Sequence, residues 1–462
     1  MVVRDLPKVE ARVRFPLPAP SFPKATNDET SKVMKILDKF FKDADKKDAI
    51  SWAFFDFANS SYALLIISFV FPIYFKEVVA GTARGDFYWG LVVSVSILAG
   101  AMLSPIVGAM ADYDARKKIK FIVFTVLAIT GTAFLYFAGS GKLLFTSLIF
   151  IIANICFELA QTLYDSFLAR VSTKKTVGRI SGLAWGFGYI GGVIAMLALK
   201  PLYENGYAGD LESLYKLTFP LTALFFLLFS IPSFIFIKEH SGSKVTEPFT
   251  QLAKLSFKRI VSTIKNLKSH KKIAWFLLGF YFMNDALVTL FAFVPIYART
   301  TFSMEFKELM PLLLLVQIVG FPAAVIFGFF SDKWGPKKIL LTTIGIWAVI
   351  VVLMSVATTR TMFYVIALFT GLVMGAGQAI ARSWLSQLVP DDKRFEFFGF
   401  NGFASKVAAT TGPILFGAIS VATGNQRLAV AALLPFFIIA FIIFARIKED
   451  KIKMLPNIIK SN

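Results

Sequence analysis

Four polar residues interrupt an apolar stretch: Asn154, Glu158, Gln161 and Asp165, at intervals of four, three and four. On a helix that spacing aligns them on one face. Leu143 to Ile152 and Phe167 to Val171 on either side are almost wholly apolar, which places the helix in lipid. A carboxylate near a bilayer centre costs at least ~2.5 kcal/mol unless it faces protein or water. Two acids and two amides on one stripe therefore imply a wet cavity enclosed by other helices. Their chemistry there is the binding of a polar solute or of a proton.

The rest of the chain supplies such an enclosure. Of 462 residues, 56% are apolar and 17% charged, and 51 are phenylalanine. Soluble domains hold about 45–50% apolar and roughly 25% charged residues. Apolar segments fall at 50–75, 87–111, 119–139, 143–169, 179–201 and 215–237, then at 273–298, 308–330, 338–358, 362–389, 397–423 and 427–446. Each is long enough to cross a hydrocarbon core of about 30 Å at 1.5 Å per residue. The pattern predicts an all-α membrane protein with twelve transmembrane helices, as two six-helix bundles at 50–237 and 273–447.

The flanks carry the remaining signals. Residues 1–30, rich in proline and charge, read as a disordered tail and not as a signal peptide. Residues 31–49 read as an amphipathic helix on the cytoplasmic membrane surface, and 238–272 as a basic cytoplasmic linker. Residues 448–462 form a cytoplasmic tail. Net charge is +20, and the basic residues cluster in alternate connections: Arg116 to Lys120, Arg170 to Arg179, Lys333 to Lys338, and Lys393 with Arg394. That alternation orients a membrane protein with both termini cytoplasmic and needs no nucleic-acid partner. The single cysteine, Cys156, lies inside an apolar segment, and both histidines, His240 and His270, lie in the linker. Disulfides, a metal site and a cofactor are not expected, and no nucleophile–base cluster points to an enzyme.

The two halves echo each other. Trp52 and Pro72-Ile73-Tyr74 recur as Trp275 and Pro295-Ile296-Tyr297; Gly108, Asp112, Lys117 and Lys118 as Gly328, Asp332, Lys337 and Lys338; Gln161, Ser166 and Leu168 as Gln378, Ser383 and Leu385. Three blocks in one order indicate duplicated six-helix units, which commonly place a substrate site at midplane between them.

The loop from Gly108 to Lys118, with Asp112 and Arg116, and its echo from Gly328 to Lys338, with Asp332 and Lys337, resemble the signature loops of the major facilitator superfamily. Ala115 stands where that family usually has glycine. Trp52 to Tyr62, Phe71 to Tyr74, and the run from Gly375 to Gly417 with Gly377-Gln378, Arg382-Ser383 and Gly412-Pro413 resemble the vacuole-effluxer-like family, named for a fungal vacuolar amino-acid exporter linked to autophagy. The resemblance implies a pseudo-symmetric major facilitator fold with helices 1, 4, 7 and 10 around a central cavity. The substrate and proton cavity is then expected to use Asp56, Asn59, Asn154, Glu158, Gln161, Asn284, Asp285, Gln378 and Lys406, with Gln317 a further candidate. Glu158 or Asp285 would meet an ammonium group or a coupling proton, and Lys406 a carboxylate. The rival reading pairs Lys406 with one of these acids without any ligand. Asp165 and Arg382 align across the repeat and suggest a cytoplasmic gate. Gly108, Asp112, Arg116, Gly328, Asp332 and Lys337 would act in conformational change.

The expected activity is secondary transport of a small organic solute, amino acids first, by alternating access with proton coupling. Alternatives are a drug or metabolite antiporter and a non-transporting sensor of the same fold. The expected setting is a monomer in a prokaryotic cytoplasmic membrane, or a vacuolar membrane in a eukaryote. Gly186 to Gly191 matches a dinucleotide fingerprint by letter only, since it lies mid-membrane with no preceding strand.

Overall fold

Pro72 has no N–H and crowds the carbonyl four residues earlier, and the first helix departs from regular geometry there. α1 (Lys46–Val79) is α-helical over Lys46–Ser61, π-helical over Tyr62–Ser68, α-helical over Val70–Tyr74 and π-helical again over Phe75–Val79. The computed structural model describes residues 45–448 apart from 114–116, 173–176, 390–393 and all but isolated positions of 239–268. The expected tails and most of the surface helix and linker lie outside these residues. Residues 46–49 of that expected surface helix belong to α1. Asp45 caps α1, its side chain accepting from the amides of Lys47 and Asp48. The Lys238 ammonium, then the Asp48 amide, hold its carboxyl below the usual range.

Among the described residues eleven further long helices follow: α2 (Gly85–Tyr113), α3 (Lys117–Phe137), α4 (Leu143–Val171), α5 (Val177–Tyr203), α6 (Leu211–Phe236), α7 (Lys271–Phe302), α8 (Phe306–Trp334), α9 (Pro336–Val356), α10 (Arg360–Val373 and Ala376–Leu388), α11 (Arg394–Ala408 and Thr411–Thr423) and α12 (Gln426–Arg446). With an even number of spans, α1 begins and α12 ends on one side, here the terminal face. The other is the distal face.

In the first bundle α1 packs on α5 and α6, and α4 on α2 and α3; in the second α7 packs on α12 and α8 on α10. Aromatic rings fill much of the interior: Phe55 against Phe121 and Tyr164, Tyr62 against Phe157, Phe276 against Trp384 and Phe444. Large apolar side chains such as Leu144, Ile152, Ile318 and Ile442 are exposed on the outside, as expected of helices that meet lipid rather than water. The duplication does not give matched surroundings everywhere. Trp52 is buried, donates to the Tyr164 carbonyl and stacks on its ring, whereas Trp275 is 49% exposed.

The bundles meet along three helix pairs: α2 with α11, α5 with α8, and α1 with α7, the last through residues 62–74 of α1. Along α2–α11 the backbones nearly touch. A Cβ on Gly90 would stand 2.2 Å from the Pro413 carbonyl oxygen, and one on Gly417 2.5 Å from that of Asp86. Only glycine permits this approach.

Candidate functional site

The polar stripe of α4 distributes its side chains in order from the distal to the terminal face. Asn154 is buried, donating to Ser96 Oγ at 2.8 Å and accepting from the Tyr62 hydroxyl at 3.4 Å. Glu158 meets Lys406 of α11, Oε2 to Nζ at 2.7 Å, the two side chains 19% and 20% exposed. Gln161 accepts from Asn59 Nδ2 at 3.0 Å and donates to Asp165 Oδ1 at 3.2 Å. Asn59 also donates to Asp56 Oδ1 at 3.3 Å. Two amides thus link the carboxylates of Asp56 and Asp165 within the first bundle, Asn59 donating to Asp56 and to Gln161, and Gln161 to Asp165.

The Glu158–Lys406 pair joins the two bundles. It lines a cavity of about 270 Å³, whose walls come from α1, α2, α4, α7 and α11. Asn154, Asn284, Glu158, Lys406, Ser68 and Ser405 supply its polar groups, and Ile97, Phe150, Val288 and Phe291 much of its apolar wall. Ala63, Ile67 and Ser68 reach it from the irregular stretch of α1. That volume lies just below the range of drug-sized sites, ~300–1,000 Å³. It suits a small solute.

Sequence reasoning assigned α10 to the wall. Gln378 instead stands behind Asn284, donating to its Oδ1 at 3.4 Å, while Asn284 donates to the Ser405 carbonyl at 3.0 Å. Asp285 is fully buried and both its carboxylate oxygens accept from the Gly412 amide, at 2.8 and 3.0 Å. It caps the second segment of α11 where that helix breaks, and it does not line the cavity. Gln317 lies between α8 and α5, beside Gly192.

Asp165 is exposed, and the side chain of Arg382 lies outside the described residues, so the terminal-face pair is not placed. The side chains of Asp112 and Asp332, all of Arg116, and the surroundings of Gly108 and Gly328 lie outside them too. The signature-loop lysines are visible. Lys337 donates to the carbonyls of Ala445 and Ile447, at the end of α12, and Lys118 to that of Ile235, at the end of α6. A cation there satisfies carbonyls with no partner inside the helix and complements its dipole. Each loop so ties the third helix of its bundle to the sixth.

A second polar cluster, at the distal face, escaped the sequence reading. Lys76 and Asp86 pair at 2.8 Å with side chains 5% and 6% exposed. Lys76 donates to Thr300 Oγ1, and Asp86 accepts from Ser420 Oγ and Gln426 Nε2, all three from the second bundle. Beside them Glu77 pairs with Arg299 of α7 at 3.3 Å and accepts from the Tyr207 hydroxyl. Burial, reinforced by the Glu77 charge, pushes that hydroxyl far above its usual range and keeps it a donor. Trp89 Nε1 donates to the Ala292 carbonyl just below. A signal existed: the offset of 223 relating Pro72 to Pro295 also relates Lys76 to Arg299.

Two pseudo-symmetric six-helix bundles around a central cavity that holds an ion pair define a membrane transporter of the major facilitator fold. Solved structures of that class agree. The nucleoside transporter NupG superposes with a TM-score of 0.64 over 87% of this chain and 99% of its own, at 12% identity. The human organic anion transporter MFSD10 (TETRAN) does so with 0.63 over 86% and 99%, also at 12%. The Major Facilitator Superfamily profile matches residues 11–196, and that of the vacuole effluxer Atg22-like family matches 170–454, more than half of the chain. The chain belongs to the vacuole effluxer Atg22-like family. Among its relatives are the uncharacterized MFS-type transporter YxiO of Bacillus subtilis (strain 168), 29% identical over 87% of this chain and 95% of that protein, and Autophagy-related protein 22 of Pichia angusta, 23% identical over 84% and 79%.

Proposed function

We propose that this transporter moves small zwitterionic solutes, amino acids above all, by alternating access between two faces of a membrane, as an exporter linked to proton movement. The observation that carries this reading is the Glu158–Lys406 pair, one member on each bundle, at the wall of a small and otherwise mainly apolar cavity. A zwitterion presents the complementary pair of charges. It can divide the ion pair and satisfy both members, so that no lone charge stays buried. Glu158 is also the candidate for the coupled proton once Lys406 has left it. The family resemblance supports amino acids over other zwitterions, and the cavity volume disfavours a drug-sized substrate.

The basic clusters at the terminal face support a cytoplasmic location for both termini; a monomer in a prokaryotic cytoplasmic membrane, or in a vacuolar one in a eukaryote, completes the proposal. Asp165 and Arg382 are the proposed closure of that face, and the signature-loop residues Gly108, Asp112, Arg116, Gly328, Asp332 and Lys337 the links that move each bundle as a body.

The test is proton movement in sealed proteoliposomes as amino acids, peptides and organic acids are added. A solute-dependent pH change is expected with amino acids. Glu158→Gln is expected to lower it by about tenfold or more, since a charge-assisted bond is worth roughly 1.5–3 kcal/mol. Unaltered flux in that variant across a pH range would remove Glu158 from the mechanism.

A further inference from the structure

Lys406 is held by one carboxylate together with a carbonyl and two hydroxyls. Its Nζ lies 2.7 Å from Glu158 Oε2, 2.9 Å from the Glu158 carbonyl oxygen, 3.0 Å from Thr162 Oγ1 and 3.4 Å from Ser104 Oγ. All four oxygens belong to α2 and α4 of the first bundle, and the ammonium enters from the second. The two hydroxyls have other acceptors for their protons, the Gly100 carbonyl at 2.7 Å for Ser104, the Glu158 carbonyl at 2.9 Å for Thr162, and each other at 3.1 Å. Both hydroxyls therefore turn lone pairs toward the nitrogen, and the cluster is acceptor-only with one formal negative charge. Gly100 lets Glu158 lie against α2, because a Cβ there would stand 3.0 Å from the Glu158 Cβ.

We infer that Glu158, Thr162 and Ser104 form a receptor for a primary ammonium group, which Lys406 fills here as a tethered stand-in for the amino group of the substrate. This rests on reading the central cavity as the solute site. The three nearest oxygens match the three N–H bonds of a primary ammonium. A secondary ammonium leaves one of them unpaired, and a quaternary one leaves all three. A zwitterion placing its amino group in the receptor expels Lys406 and offers its carboxylate to that lysine in return, a neutral exchange of partners. A simple amine cannot repeat this, because it would strand Lys406 without an anion against a tether that gives the lysine a high effective concentration. Displacing Lys406 replaces the direct ionic link between the bundles by one that runs through the solute.

The test uses purified Lys406→Met protein, whose receptor is vacant, and reads its Tm. Methylammonium is expected to raise that Tm saturably and to leave wild type unmoved. Sodium and tetramethylammonium at equal ionic strength are expected to shift neither protein. No shift with methylammonium, or an equal shift with sodium or tetramethylammonium, overturns the proposal. If Lys406→Met does not fold, the wild-type protein decides by amino-acid binding. Trimethylation of the amino group is expected to weaken binding by about tenfold or more, and equal affinity overturns the proposal. Failure of proteoliposomes to move any zwitterion would remove the transport reading, while the methylammonium shift still stood or fell separately.

Discussion

Lys76 and Asp86 are among the most deeply buried charged residues described, and neither lies in the cavity. A buried ion pair seldom adds much net stability, because desolvation offsets attraction, yet removing one partner costs about 3–5 kcal/mol. The Tm of the purified protein is therefore expected to fall further for Asp86→Leu alone than for Asp86→Leu combined with Lys76→Met. Recovery in the double variant would be partial, since Ser420 and Gln426 still lose their acceptor. A double variant as unstable as the sum of the singles would show that the two charges are not coupled. Burial also explains the contrast between Asp285 and Glu158. Asp285 spends its carboxylate on a backbone amide, while Glu158 meets the Lys406 cation at the cavity.

At the scale of the element, α11 is two helices with different tasks. Arg394–Ala408 carries Lys406 to the cavity, and Thr411–Thr423 lies along α2. Asp285 holds the joint, and Gly412 is needed there because a Cβ would stand 2.1 Å from Thr289 Oγ1. The close approach at Gly90 makes α2–α11 the tightest seam between the bundles on the distal side. Gly90→Ala is expected to force it apart and raise the labelling rate of cysteines introduced on the distal side of the cavity, in a Cys156→Ala background. An unchanged rate would mean that the backbones shift without opening the seam. α1 is irregular for a different reason, since Pro72 breaks its ladder, and the π-helical turns bring Ala63, Ile67 and Ser68 to the cavity.

Across the whole molecule, the distal face is closed by contacts that cross between the bundles: Lys76 to Thr300, Asp86 to Ser420 and Gln426, and Glu77 to Arg299. Alternating access requires each of them to break once per cycle. Cysteines replacing Glu77 and Arg299, joined by a short bis-methanethiosulfonate in the Cys156→Ala background, are expected to abolish solute flux in proteoliposomes, with recovery on reduction. Flux that persists through the cross-linked protein would show that this face need not open.

The sequence by itself determined the class of fold. Segment length against bilayer thickness, polar residues at helical spacing and the repeated motifs are local or periodic signals, and no neighbour is needed to read them. It also marked Asp56, Glu158, Asp165, Asp285, Arg382 and Lys406, because an ionisable group in lipid is conspicuous wherever it lies. Which residues meet was decided only by tertiary packing. Asp285 and Glu158 look alike in sequence, yet the break in α11 turns one into a helix cap and leaves the other at the cavity. Lys76, Asp86 and Arg299 lie at helix ends, where charge is unremarkable, and became a buried cluster only because the two bundles close over them. Ser104 and Thr162 carry no sequence signal at all, since hydroxyls are common in membrane helices. Their role as acceptors follows from where α2, α4 and α11 cross, a relation among residues up to about three hundred positions apart.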